Sequence, residues 1–126
     1  MKSKKKSLIL VVEDDPASGL LYSKFLESKG FDVMIVTDGK AAIQAVRSYP
    51  DIRLILMDIR LPEMDGISTM KEIKKLRKHI PVIAQTAYAM VEDKNRMLKA
   101  GFDNYLSKPI KPGALFDLLL PYLKNE

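Results

Sequence analysis

Leu54 to Gly66 reads LILMDIRLPEMDG. Four apolar residues run directly into an acid, Asp58. A loop carrying Pro62 then leads to a second acid, Asp65, and a glycine. An unbroken apolar run of this length has the character of a strand buried on both faces. Such a strand meets solvent only at its ends, so the pattern delivers one carboxylate, Asp58, to the edge of a sheet. Pro62 stiffens the turn that follows. Asp65-Gly66 reads as the start of the next helix, not as a second active acid.

Four other short apolar runs accompany this one: Leu8–Val12 (LILVV), Phe31–Val36 (FDVMIV), Pro81–Gln85 (PVIAQ) and Asn104–Leu106 (NYL). With Arg53–Met57 they make five candidate strands. Between them apolar residues recur at helical spacing: Leu20, Leu21, Phe25 and Leu26; Ala42, Ile43, Ala45 and Val46; Ile67, Met70, Ile73 and Leu76; Met90, Met97 and Leu98; Leu115, Leu118, Leu119 and Leu123. Two helices end in the same way, Lys29-Gly30-Phe31 and Ala100-Gly101-Phe102. Glycine there takes a left-handed conformation and the next apolar residue folds back on the last turn. Pro121 falls inside the last helical pattern and is expected to end or kink it.

Strand and helix alternate five times, which predicts an α/β doubly wound fold with five parallel strands and helices on both faces. Right-handed crossovers leave few strand orders, and 2-1-3-4-5 fits. One domain is expected over residues 7–126, after a basic tail at residues 1–6.

Composition agrees with a single globular domain. The chain has 126 residues, 47% hydrophobic, and no cysteine. That excludes a disulfide framework or a thiolate metal site. The start, MKSKKKSLILVVEDD, superficially resembles a signal peptide, but its five-residue apolar run is too short and acids follow at once. No stretch is long enough to span a bilayer, so a cytoplasmic protein without membrane contact is expected. The net charge is +5, of which Lys2, Lys4, Lys5 and Lys6 supply four, leaving the folded part nearly neutral. The tail is read as a solvated terminus, and direct nucleic-acid binding is not expected despite a pI of about 9.4.

The acids carry the chemistry. In an open parallel sheet, ligands bind beyond the carboxyl ends of the strands, where the strand order switches. In the 2-1-3-4-5 order that point lies between the first and third strands. Glu13-Asp14-Asp15-Pro16 leaves the first, and Asp58 leaves the third. Asp15 before Pro16 reads as a helix N-cap. Glu13, Asp14 and Asp58 exceed what one helix start needs, and like charges this close repel each other. A divalent cation with an oxygen shell, Mg2+ or Mn2+, relieves the repulsion. The fourth strand runs into Thr86 and the fifth into Ser107-Lys108-Pro109, adding a hydroxyl and an ammonium to the same edge. A metal, a carboxylate nucleophile, a hydroxyl and a lysine make a phosphoryl-transfer set.

The pieces VVEDDP, LILMDIRLPEMDG, PVIAQTA and NYLSKPI, in this order, resemble the receiver domain of the response-regulator family, the phosphoacceptor of two-component signalling. The resemblance covers roughly residues 7 to 124. It implies a flavodoxin-like (βα)5 fold with Asp58 as phosphoacceptor. It also implies metal binding by Asp14, by Glu13 through water, and by the Arg60 backbone carbonyl. Thr86 matches the switch hydroxyl, Tyr105 the aromatic coupled to it, and Lys108 the lysine that contacts the phosphoryl group. The Lys108-Pro109 peptide is expected to be cis. Phosphorylation then changes the surface of the fourth helix, last strand and last helix. The implied donor is a histidine kinase or histidine phosphotransfer protein. The implied output is a downstream protein or kinase domains in cis, and a phosphorylation-dependent homodimer stays open. The flavour of AQTAYAM and NYLSKPI is that of receivers in hybrid histidine kinases. No output enzyme is expected in this chain. Arg60 and Tyr88, two residues past Asp58 and Thr86, are expected to slow loss of the phosphoryl group.

Two other readings compete. A haloacid-dehalogenase type phosphatase needs an acid two residues past the nucleophile, where this chain has Arg60. A flavodoxin-type cofactor binder needs a phosphate loop rich in Ser, Thr and Gly, where this chain has Glu13-Asp14-Asp15. His79, the only histidine, sits at a helix end and is read as a loop or helix-dipole residue. Met90 and Met97 are read as packing residues.

Overall fold

The structure, a computed structural model, describes residues 7–61, 64–86, 91–108 and 111–123, with the side chains of residues 91–93 excepted. Five strands and five helices alternate: β1 (Leu8–Val12), α1 (Pro16–Ser28), β2 (Asp32–Val36), α2 (Gly39–Ser48), β3 (Ile52–Asp58), α3 (Gly66–Leu76), β4 (Val82–Thr86), α4 (Val91–Ala100), β5 (Asn104–Ser107) and α5 (Pro112–Leu123). The strands form one parallel sheet in the order β2-β1-β3-β4-β5. The strand limits differ from the sequence reading by a residue or so, and β3 includes Asp58 as its last residue. The lysine tail, Pro62, Tyr88, Met90 and the Lys108-Pro109 peptide lie outside the described residues.

β3 is the central strand, with Leu54, Ile55, Leu56 and Met57 all fully buried. Alternation divides them between two cores. Ile55 and Met57 join Ala42, Met70, Ile73, Ala84 and Met97 on the face covered by α2, α3 and α4. Leu54 and Leu56 join Ile9, Val11, Tyr22, Leu26, Ile83 and Leu119 on the face covered by α1 and α5. Burying each such side chain contributes roughly 1.5–3 kcal/mol, so the strand that carries Asp58 is held from both sides.

Aspartates start three of the helices. Asp15 accepts from the Ser18 N–H (3.1 Å) with Pro16 in the first turn, Asp38 from Ala41 (2.8 Å) and Asp65 from Ser68 (2.8 Å). Each such cap stabilises its helix by about 1 kcal/mol. Asp15 and Asp65 thus have the capping roles expected of them. The two glycine endings form as read: Gly30 has φ 93° and Gly101 φ 126°. The Phe31 N–H reaches back to the Leu26 carbonyl and the Phe102 N–H to Met97, each at 3.2 Å. A side chain at either glycine would strain the turn.

Among the apolar residues at helical spacing in α1, Leu26 is fully buried, together with Tyr22, whereas Leu20 and Leu21 are 55% and 48% exposed. Helical spacing admits more than one phase, and the tyrosine hid the true one. Of the two outcomes expected of Pro121, the helix end does not fall at the proline: α5 runs on to Leu123. The proline stands in the last turn, where only one backbone hydrogen bond is forgone. Met97 is buried, as expected. Among the described residues, no helix is long and apolar enough to cross a membrane.

Gly66 opens α3 hard against the end of β3. A Cβ there would stand 2.6 Å from Ile59 Cα and 2.9 Å from the Asp58 carbonyl oxygen. Both neighbours are backbone, so one of the two segments must move. Gly66→Ala is expected to cost roughly 1–3 kcal/mol and to displace the loop after Asp58. Urea unfolding measures the first effect and magnesium titration the second.

Candidate functional site

The carboxyl ends of β1, β3 and β5 bring three charged side chains into direct contact. Glu13 follows β1, and its N–H donates to the Val36 carbonyl (2.9 Å), continuing the pairing with β2. Asp58 ends β3, and the Ile59 N–H donates to the Gln85 carbonyl (3.2 Å). Lys108 follows β5, with its N–H bonded to the Thr86 carbonyl (2.8 Å). Sheet pairing therefore fixes the backbone at all three positions. The Lys108 Nζ then bridges Glu13 Oε1 and Asp58 Oδ2, at 2.8 Å each. The other carboxylate oxygens are held by backbone donors. Asp58 Oδ1 accepts from the Arg60 N–H (2.8 Å), and Glu13 Oε2 from the Asp15 N–H (3.1 Å).

Glu13 is 2% exposed and Asp58 6% exposed, whereas Asp14 stands open to solvent. Burial pushes the Glu13 carboxyl above the usual glutamate range, against the opposing pull of Lys108. For Lys108 burial works to lower its proton affinity, but the hydrogen bonds to Asp58 and Glu13 prevail and hold the ammonium above its ordinary range. Stability contributed by the lysine pairing is therefore present at neutral pH and is lost as pH rises through that raised value.

Glu13, Asp14 and Asp58 each present an oxygen within 4.8 Å of the others. Three carboxylates against the Lys108 ammonium leave two negative charges in a partly buried cleft. That surplus and an all-oxygen donor set fit a hard divalent cation such as magnesium.

Thr86 and Tyr105 belong to the other face of the sheet. Tyr105 pairs in register with Ala84, and both pack against the core under α2, α3 and α4. Thr86, two residues on, is 1% exposed. Tyr105 is half-buried. The charged triangle lies on the α1 and α5 side, so the residues gathered by sequence at one edge arrive there from opposite faces. Arg60 is exposed beside Asp58. His79 is remote: it lines a cleft of about 370 Å³ at the amino edge of the sheet, with Arg53, Arg77, Lys78 and Tyr122. No residue of the acidic cluster lines that cleft, so its volume does not bear on the site.

Sequence reasoning passed over Gln85 and Tyr22. Both are fully buried near the acidic cluster. The signal was present for Gln85, a lone amide ending the apolar run PVIAQ. Nothing local distinguished Tyr22 from its leucine neighbours.

The sequence matches the family described as "Response regulator receiver domain" over residues 9–120. It is 39% identical over 123 residues to the signal transduction histidine-protein kinase BarA of Escherichia coli K12, covering 96% of this chain and 13% of that protein. It is 35% identical over 127 residues to the sensor histidine kinase GacS of Pseudomonas protegens, covering 94% of this chain and 14% of that one. The chain thus spans about one seventh of the length of these curated relatives. Among solved structures, the receiver domain of sensor histidine kinase PA1611 from Pseudomonas aeruginosa PAO1 superposes with a TM-score of 0.87 at 35% identity, covering 96% of this chain and 100% of that one. In that structure a magnesium ion is coordinated in the active site cleft. The fold, the acidic cleft that suits magnesium and the match across most of the chain agree: this chain belongs to the response-regulator receiver domain family.

Proposed function

We propose that Asp58 is the phosphoacceptor of this receiver domain, and that Lys108 neutralises charge on the phosphoryl group as it arrives. The observation that carries the reading is the bridge from Lys108 Nζ to Asp58 Oδ2 and Glu13 Oε1, at 2.8 Å each. It supports the reading because a cation stands against the Asp58 carboxylate, where charge on an arriving phosphoryl group has to be neutralised. As a two-component receiver, the domain takes its phosphoryl group from a histidine kinase or phosphotransfer partner. An Asp58 oxygen attacks phosphorus, the P–N bond to the donor imidazole breaks, and its electron pair returns to that ring. The product is an acyl phosphate on Asp58. Glu13, Asp14, Asp58 and the Arg60 carbonyl would hold Mg2+ or Mn2+. When bound, the cation supplies charge neutralisation for the transferring oxygens. The Arg60 N–H keeps Oδ1 fixed, so the carboxylate meets phosphorus in one orientation.

Thr86, buried at the end of β4, then donates its hydroxyl to the phosphoryl oxygens, and Tyr105 turns inward behind it. Both sit on the α4 side of the sheet, which supports a change in the surface of α4, β5 and α5 as the output. That output acts on a downstream protein or on kinase domains in cis. Arg60, exposed next to Asp58, hinders water and lengthens the life of the acyl phosphate.

The test is to incubate the protein with a small-molecule phosphodonor and magnesium, trap the acyl phosphate by borohydride reduction and map the site by mass spectrometry. Reduction confined to Asp58 is the expected result. Label on another residue overturns the assignment.

A further inference from the structure

We propose that Gln85 and Tyr22 form a buried polar layer behind Asp58, and that this layer hastens loss of the phosphoryl group by donating hydrogen bonds to the acceptor carboxyl. The proposal rests on the reading of Asp58 as phosphoacceptor. The other fully buried residues of the core under α1 and α5 are aliphatic: Ile9, Val11, Leu54, Leu56, Ile83 and Leu115 among them carry no polar side-chain atom. Tyr22 and Gln85 interrupt it. Both are 0% exposed. The Tyr22 hydroxyl and both side-chain atoms of the Gln85 amide are buried without a hydrogen-bond partner. Unmet polar groups of this kind lower stability, and Phe and Leu would fill the same space without that cost.

Their placement points at the acceptor. Gln85 is the direct register partner of Asp58 across the β3–β4 pair. Register partners in a parallel sheet project to the same face, so the amide stands beside the carboxyl. Its partner on the other side is Leu106, which offers no polar atom in its side chain. Tyr22 sits on α1, whose amino end lies at the site, and helical side chains lean toward that end. Its phenol is pushed up by burial first and then by the charges of Glu13 and Asp58, so both carboxylates lie within its electrostatic reach.

The chemistry follows from donor count. An ionised Asp58 only accepts, and each of its oxygens has a second lone pair beyond the Arg60 and Lys108 bonds. The Gln85 Nε2 has both N–H donors unbonded and reaches the carboxyl through one internal water as negative charge returns to it, and the Tyr22 hydroxyl, likewise unbonded, supplies a further donor. In dephosphorylation water attacks phosphorus and the P–O bond to Asp58 breaks. The electron pair returns to the carboxylate, and the proton from water passes to the released phosphate. Negative charge grows on the carboxyl in that transition state, so donors aimed at it speed the step. Gln85 and Tyr22 act through Asp58 and are positioning residues.

The experiment uses the full chain, phosphorylated by acetyl phosphate with magnesium and then freed of donor, with the decay of phosphoprotein followed in wild type, Gln85→Leu and Tyr22→Phe. All three are expected to label at Asp58. Decay is expected to slow roughly three- to tenfold in Gln85→Leu and in the same direction in Tyr22→Phe, as loss of one or two hydrogen bonds implies. The thermal midpoint of the unphosphorylated variants is expected to rise, because unmet polar groups are gone. A merely structural role would instead lower it. Labelling with decay unchanged in either folded variant overturns this proposal alone. Absence of label on wild-type Asp58 overturns the acceptor assignment, and this proposal with it.

Discussion

Asp58→Asn is expected to abolish phosphorylation while leaving the fold intact. Asparagine has nearly the same shape and keeps an oxygen for the Arg60 N–H, which holds Oδ1 at 2.8 Å. The side chain remains at the end of a strand whose preceding residues, Leu54 to Met57, are fully buried. What disappears is the negative charge and with it the nucleophile: an amide oxygen neither attacks phosphorus usefully nor balances a divalent cation. Two effects on stability oppose each other. The Lys108 ion pair to Asp58 is lost, and the repulsion between Asp58 and Glu13 is relieved. The net change is expected to stay within about 1–2 kcal/mol. Labelling by a small-molecule phosphodonor with magnesium, read beside a urea unfolding curve, checks both halves. Labelling at the wild-type level would sink the assignment of Asp58.

Lys108→Met produces a different pattern. Methionine keeps most of the side chain's apolar length but removes the ammonium that touches both Glu13 and Asp58. Two carboxylates, 2% and 6% exposed, are then left without their shared cation. Removing one partner of a buried pair costs more than the pair contributes, because the remaining charges stay desolvated. Destabilisation of roughly 2–4 kcal/mol is expected in metal-free buffer. Magnesium should return part of it, since a divalent cation answers the same charge. Chemistry should not recover with stability. Without Lys108 the transferring oxygens lose a donor aimed at them, and transfer is expected to fall about 100-fold or more. Unfolding measured with and without magnesium, beside labelling rates, separates the effects. A variant as stable as wild type without metal would show that the bridge carries no energetic weight.

The legible parts of this protein share one property: they are encoded by residues close in sequence. The apolar run ending at Asp58, the N-caps Asp15 and Asp65, and the glycine endings at Gly30 and Gly101 each depend on interactions spanning a few residues, and each stands where it was read. The strand order was among the few that right-handed crossovers leave, and the family resemblance implied it. Less legible were features decided by phase and by distant neighbours. α1 buries Tyr22 beside Leu26 and leaves Leu20 and Leu21 exposed, because rotation of a helix is set by the sheet it meets. Gly66 looked like a boundary residue, yet its closest contacts are the backbone of Asp58 and Ile59.

The sequence by itself determined that Glu13, Asp14, Asp58, Thr86 and Lys108 reach one edge of a parallel sheet, since every βα unit runs in the same direction and ends its strand there. Only the tertiary structure decided how they divide. Side-chain alternation and register bring Glu13 and Asp58 each into contact with Lys108 on the α1 and α5 side and put Tyr105 on the other. They also set Gln85 beside Asp58. The two Lys108 contacts join residues 50 and 95 positions apart. Their geometry depends on strand pairing and on a few tenths of an ångström of packing, which no local pattern of residues encodes.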